Sequence, residues 1–389
     1  MTTRRYVFKS RLKRAGMTLL DAAGQAASAI VRTVSFKNLR VSRGPAPKKI
    51  LLIRLDHIGD VMLTRPAVRS LREKYPSAQI DWLVPSEVRG LLQGDTSVNR
   101  ILGLTNHWFR RGGFMFREWS EIFQWMLRLR AEKYDAAVEF RGDLRSLVFL
   151  FLLNIPVRIG YGITGGKFLL TQCADYDWTA HQAELCGNLV RLLGASAPLL
   201  QRPLVTQPEL FSQDIPAKSP GIKRVIVHAG AGYPSKLWPS ENFEALLRGL
   251  CGLPEVEIVL IGTAAEKSSL TLMSLGVDKN RVLDCRGVLA LDQLPALMLT
   301  SDLFIGGDSG PAHIAAAQGI PVISLFSGAN DAELWKPWTP RLVLLRHPVP
   351  CSPCGLSVCP LPDHPCMKGI DPAKAVQAAS GLLEGTSAS

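Results

Sequence analysis

Short aliphatic runs alternate with helical patterns through both halves of this 389-residue chain, and that alternation leaves few architectures besides parallel sheets covered by helices. In the first half, residues 50–53, 80–84 and 136–139 are expected to form buried strands, and residues 66–75 a helix with Pro66 in its first turn. In the second half, strands are expected at 225–227, 257–261, 303–305 and 322–325, separated by helices over 241–250, 266–275, 291–299 and 311–318. Pro208, Pro216 and Pro220 mark a linker over residues 206–221. The expected division is a basic extension (1–48), a first Rossmann-like domain (49–205), the linker, a second Rossmann-like domain (222–370) and a final helix with its tail (371–389). Two doubly wound α/β domains in tandem would face a central cleft, and ligands bind outside the carboxyl ends of such sheets. Fold alone does not separate a dehydrogenase, a binding protein and a group transferase.

The formal net charge of +12 matters because of where it sits. Residues 1–49 hold twelve Lys/Arg against the single acid Asp21, so the rest of the chain is nearly neutral. A neutral body with a basic extension implies one docking segment rather than a general polyanion binder. The extension also carries Tyr6, Phe8, Leu12, Met17, Leu19 and Leu20, which fits a helix lying on an anionic membrane surface; a solvated tail and a nucleic-acid contact are the alternatives. No run approaches the roughly 18 uncharged apolar residues that span a bilayer. With 47% hydrophobic residues the chain can build large cores, which excludes a disordered protein.

Three loops at equivalent strand ends of the second half suit a nucleotide. Residues 306–313, Gly-Gly-Asp-Ser-Gly-Pro-Ala-His, follow a strand and open a helix. Small residues there let backbone N–H groups approach an anion, the helix start adds partial positive charge, and Ser309 and His313 can donate to phosphate. An ordinary Asp/Ser cap before a Pro-initiated helix would read the same way, and the Gly-x-Gly-x-x-Gly spacing of a dinucleotide site is missing. The second loop, 228–239, offers Gly230 and Ala231 with Lys236, a cation able to meet a leaving diphosphate. The third, 262–266, presents Glu266 after a strand, the arrangement that grips ribose hydroxyls. In the first half, Arg54-Leu55-Asp56-His57-Ile58-Gly59-Asp60 links the first strand to the first helix. Asp60 there could take the proton of an attacking hydroxyl, or cap the helix, or pair with Arg54 or Arg65.

With these loops in view, the chain resembles the family 9 glycosyltransferases, the ADP-heptose:lipopolysaccharide heptosyltransferase family. The resemblance runs from about Lys49 to about Ile370 and rests on I-L-L-I-R-L-D-H-I-G-D-V, on K-L-W-P and on I-G-G-D-S-G-P-A-H-I-A-A-A-Q-G-I-P-V-I-S-L-F, in that order and spacing. It implies a GT-B fold with the acceptor on the first domain, the nucleotide sugar on the second, and a final helix that crosses back to the first. It also implies inverting transfer of heptose from ADP-heptose to a lipopolysaccharide core or related lipid-linked glycan, without a required cofactor, at the cytoplasmic face of the inner membrane. Carried over by motif, Asp60 becomes the general base and Lys236 the cation facing the donor diphosphate. Asp308, Ser309, Gly310 and His313 line the phosphate and sugar side, Glu266 matches the ribose-binding acid, and the backbone near Leu289 the adenine pocket. Where well-known heptosyltransferases carry hydroxyl residues after the His-Ala pair, this chain has Gly230-Ala231-Gly232, so diphosphate binding would lean on backbone N–H groups. The alternative is a non-catalytic GT-B binding or scaffold protein docked on an anionic surface.

Three further features concern partners. Residues 108–130 interleave Trp108, Phe109, Phe114, Phe123 and Trp125 with Arg110, Arg111, Arg128 and Arg130, a mix suited to an anionic interface or, in part, to the core. Arg141, Asp143 and Arg145 could hold acceptor phosphates or carboxylates, or form an ion-paired helix start. Cys351, Cys354, Cys359 and Cys366, with His364 nearby, have the thiol richness of a structural zinc site without its usual spacing; free thiols and disulfides are the other readings.

Overall fold

Strand β1 (Lys49–Ile53) seeds the first sheet: Ile50, Leu51, Leu52 and Ile53 are all fully buried, so both of its faces must be covered. The computed structural model describes residues 10–34, 46–105, 116–196, 215–267 and 281–385. The chain divides into two compact units, Met1–Arg89 with Thr96–Leu199, and Gly90–Asp95 with Leu200–Ser389. Residues 206–214 of the expected linker lie outside the described residues.

In the first unit β1 is flanked by β2 (Gln79–Pro85), β3 (Arg100–Leu104), β4 (Ala136–Glu139), β5 (Val157–Gly160) and β6 (Gln172–Cys173), all parallel, in the order β3-β2-β1-β4-β5-β6. Ile50 pairs with Ile80 on one side and Ala136 on the other. The helices are α1 (Arg11–Val34), α2 (Ile58–Lys74), α3 (Ser86–Arg89), α4 (Phe116–Ala131), α5 (Leu144–Leu152) and α6 (Gln182–Arg191). Leu51, Ile53 and Leu83 from the sheet meet Leu129, Leu147, Phe149 and Leu150 from α4 and α5 in one core. Each such side chain removed from water contributes about 1.5–3 kcal/mol. Pro66 does not open a helix. It lies inside α2, which starts at Ile58, because Asp60 accepts the backbone N–H of His57 and closes the helix one turn after β1.

The second unit repeats the plan. Strands β7 (Lys223–His228), β8 (Val256–Ile261), β9 (Val282–Asp284), β10 (Leu303–Gly307), β11 (Val322–Leu325) and β12 (Leu342–Leu345) are parallel in the order β12-β11-β10-β7-β8-β9. Counted within the unit, this is the order of the first sheet. The helices are α7 (Ser240–Cys251), α8 (Leu294–Leu299), α9 (Gly310–Gln318), α10 (Ala332–Trp335), α11 (Pro365–Lys368) and α12 (Pro372–Leu383). The helix expected from Glu266 is a 3-10 turn at Ala264–Lys267, and residues 268–280 lie outside the described ones. The final helix, expected to cross back to the first domain, is built into the second unit's core: Ala375 and Ala379 are fully buried beside Leu246, Leu250 and Leu303. Its small residues permit this close seat on α7, where a side chain at Gly249 would meet Val376.

In both sheets the connection order reverses beside the first strand, between β1 and β4 and between β7 and β10. The loops that follow those strands diverge there and leave a crevice at the carboxyl edge.

Candidate active-site residues

The crevice of the first unit is held by one guanidinium. Arg54 follows β1 and is almost fully buried. Its Nη1 donates to Phe140 O after β4 at 2.8 Å, its Nη2 to Asp60 Oδ1 at 2.7 Å, and its Nε stands 2.7 Å from Asp56 Oδ1. Burial alone would lower the guanidinium's proton affinity, but Asp56 and Asp60 more than offset it, so Arg54 stays charged. Burial pushes the Asp56 carboxyl up to about 7, against the pull of Arg54. Glu139, at the end of β4, is pushed up to about 8 by the same cause while it accepts the Gly142 N–H. Asp60 is thus at once helix cap, ion-pair partner and candidate base; of the two expected partners it takes Arg54, and Asp56 joins them with no motif to announce it.

Asp143 and Arg145 pair with each other. Asp143 caps α5 by accepting Arg145 N–H at 3.0 Å, and its two carboxylate oxygens each take a guanidinium N–H at 2.9 Å. The ion-paired helix start is therefore realised, with the Arg145 side chain still 47% exposed. Arg141 adjoins the Arg54 group closely enough for its charge to lower the Asp56 carboxyl.

In the second unit the loops after β7 and β10 are tied across their crevice twice. Lys236 Nζ meets Asp308 Oδ2 at 2.6 Å, and His228 Nδ1 meets Ser309 Oγ at 3.2 Å. Asn330, after β11, donates to the same Asp308 oxygen at 2.9 Å, a contact no motif announced. Burial would raise the Asp308 carboxyl, yet His313 and Lys236 hold it below its ordinary value. His313 lies in α9 with Nε2 3.9 Å from Asp308, and its buried Nδ1 has no hydrogen-bond partner among the described residues. Ser309 and Gly310 form the start of α9, with Pro311 in its first turn. Glu266 turns back toward this group: it accepts Thr263 N–H at 3.1 Å and stands 3.6 Å from His228, which lowers its carboxyl. A side chain at Gly230 would meet that carboxylate and push it aside, so glycine lets Glu266 rest against the strand end. Ala231 follows Gly230 in the same loop, and Leu289 is half-buried in the turn after β9. All these groups share one edge because parallel strands end on the same side.

The four cysteines cluster without forming a metal site. Cys351, Cys354, Cys359 and Cys366 line one small cavity with His364, all eight cysteines are free thiols, and no described group of three or more ligating side chains is placed to hold an ion. The expected structural zinc is therefore not supported. Thiols sharing a cavity need not converge on one point, and the His364 Nε2 faces Ser235 O at 3.0 Å instead. The loop braces the neighbour of Lys236: Ser235 Oγ donates to Leu356 O at 2.6 Å, and its N–H to Ser357 O at 3.0 Å. Of the aromatic segment, Phe123 is exposed and Arg128 stacks on half-buried Trp125; Trp108, Phe109, Arg110, Arg111 and Phe114 lie outside the described residues.

The sequence model of glycosyltransferase family 9 (heptosyltransferase) matches residues 122–364, more than half of the chain, from β4 of the first sheet through the whole of the second. The chain belongs to glycosyltransferase family 9. This family 9 enzyme is 29% identical over 300 residues to lipopolysaccharide heptosyltransferase 3 of Escherichia coli, covering 73% of this chain and 85% of that protein. Its fold is that of E. coli ADP-heptose lps heptosyltransferase II (TM-score 0.70, 22% identity, 87% of this chain and 99% of that one). It is also that of E. coli heptosyltransferase WaaC with ADP (TM-score 0.70, 18% identity, 86% and 99%). The α/β architecture is thus of the GT-B type, and the family 9 protein is a glycosyltransferase.

Proposed function

We propose that the chain transfers heptose from ADP-heptose to a hydroxyl of a lipopolysaccharide core or related lipid-linked glycan, with inversion at the anomeric carbon. The names of its relatives supply the donor and acceptor classes. The observation that carries the chemistry is the double tie between the β7 and β10 loops, which concentrates a cation, two histidines and a helix start where the sheet order reverses.

In this reading residues 49–205 hold the acceptor and 222–370 the donor. Asp60, oriented by Arg54, accepts the proton of the acceptor hydroxyl as its oxygen attacks the anomeric carbon. The bond from that carbon to the diphosphate breaks, and charge grows on the departing ADP. Lys236 exchanges part of its contact with Asp308 for the diphosphate, joined by His313 and the backbone N–H groups of Gly230, Ala231, Ser309 and Gly310. Glu266 holds ribose hydroxyls and the backbone near Leu289 the base. Arg141 and Arg145, the latter fixed by Asp143, meet acceptor anions. No cofactor enters the reaction.

The enzyme works at the cytoplasmic face of the inner membrane as a peripheral protein attracted by anionic lipid, in keeping with its basic residues 1–49. Among the described residues no helix is long and apolar enough to cross a membrane. Incubating the purified chain with ADP- and UDP-sugars and defined core acceptors tests the reading. ADP release that requires acceptor and ADP-heptose, with an inverted product by NMR, is the expected result; ADP-heptose binding without transfer would favour the scaffold alternative.

A further inference from the structure

Helix α1 turns its apolar face outward and meets the first unit with a narrower, mixed face. Its inner side is pinned to the first unit: the buried Asp21 carboxylate accepts the Gly166 N–H at 2.7 Å. A side chain at Gly165 would meet Met17 Sδ at 2.8 Å, and one at Gly24 would strike the Phe168 ring. Met17, Asp21 and Gly24 recur at the spacing of one helix face. With about 100° between successive residues, the side turned away from the protein consists of Leu12, Ala15, Leu19, Ala22, Ala23 and Ala26. All six are exposed, Leu12 at 83% and Leu19 at 72%. Lys13 and Arg14 lie about 130° round the helix from the centre of this stripe, toward the protein side, and the helix's one acid faces inward.

A helix that needed only to cover the protein would carry polar residues outside. The turn Lys167–Leu169 on which α1 sits also packs against α5. There Val148, Phe151 and Leu152 are exposed in turn, with the Arg158 guanidinium 5.4 Å from the Phe151 ring and Arg130 reaching Leu152 O. Exposed apolar side chains on a basic helix, with arginines beside those of α5, match the acyl and headgroup layers of an anionic bilayer, in which the stems insert and the cations stay at the phosphates.

We propose that α1 is a membrane-docking helix clamped to the acceptor-side unit, whose Leu12–Leu19 face, continued by the outward face of α5, seats on anionic lipid. This deepens the membrane partner named above and rests on that reading. The clamp gives it a consequence: docking through a pinned helix orients the first unit relative to the lipid, as a loose basic tail would not.

Co-sedimentation of the full chain with vesicles of phosphatidylcholine, with and without phosphatidylglycerol, tests it. The wild type should bind the phosphatidylglycerol vesicles, less at high salt. Leu12→Asp/Leu19→Asp should lose about tenfold or more in partition coefficient. The helix-preserving Leu12→Ala/Leu19→Ala should lose less, and Leu192→Asp, exposed elsewhere in the first unit, should lose nothing; the thermal transition should be unchanged in all three. Equal binding by the wild type and both α1 variants would overturn the role of α1 while leaving the membrane reading intact. Failure of the wild type to bind any vesicle would remove both. Variants that turn a dimer into a monomer without altering vesicle binding would assign the face to a second copy and overturn the proposal.

Discussion

Arg54 answers three demands with one guanidinium: it ties β1 to β4 through Phe140 O, neutralises Asp56, and orients Asp60. In the proposed reaction the base needs its second oxygen for the substrate, and among the described residues Asp60 Oδ2 accepts only the long 3.3 Å bond from His57 N–H. Asp60→Asn keeps the cap and the shape but not the proton acceptor. Turnover should fall by a factor of roughly 10² to 10⁴ with ADP affinity nearly unchanged, as measured by steady-state kinetics and calorimetry; near wild-type turnover would end the assignment. Glu139 permits a stability test. Its folded carboxyl titrates at about 8 against an ordinary 4.5, so the folded state keeps a proton that the unfolded chain gives up. Stability from this group is full below about 4.5 and is lost as pH rises through 8. Glu139→Gln, which can still accept the Gly142 N–H, should therefore gain stability relative to the wild type between pH 5 and 8. The gain should be about 2–4 °C in Tm for each kcal/mol, read from melting curves across that range. A gap that stays constant with pH would show that Glu139 is ionised throughout.

At the scale of elements, the cysteine loop is a brace for the Lys236 turn rather than a metal knuckle. Ser235 makes two bonds to it and accepts one from His364, if that ring nitrogen carries the proton. Losing one such bond costs about 1 kcal/mol, so Ser235→Ala and His364→Ala should each weaken ADP binding by about fivefold or less. Both variants should retain the fold by circular dichroism. Unchanged ADP affinity in both would mean that Lys236 is positioned by Asp308 alone. The sequence announced the turn through K-L-W-P and the loop through its cysteines. It did not announce their contact, because more than a hundred residues separate Ser235 from Leu356 and only the core around Trp238 brings them together. Pro66 teaches the converse: local propensity favours a helix start there, but Asp60 had already closed the cap two turns earlier.

On the scale of the molecule, charge on the leaving group is assigned to a lysine and a helix start rather than to a divalent ion. Transfer should accordingly survive EDTA, with less than about a twofold change in the rate of ADP release. Loss of activity that Mg²⁺ or Mn²⁺ restores would require another electrophile. The alternation of aliphatic runs with helical patterns was enough to determine two parallel α/β units, because a strand buried on both faces must be aliphatic throughout and a covering helix must be amphipathic. The same local rules placed Asp60, Glu266 and Asp308 to His313 at strand ends. Strand order, by contrast, is written in no local pattern. Only the packed sheets decide that β4 lies beside β1 and β10 beside β7, which makes Arg54 reach Phe140 O and Lys236 reach Asp308. Tertiary structure likewise turned Asp21 inward as a pin, where a sequence of charges shows only an acid among bases. Periodicity records which side of an element is buried, and the identity of what buries it emerges from contacts between residues far apart in the chain.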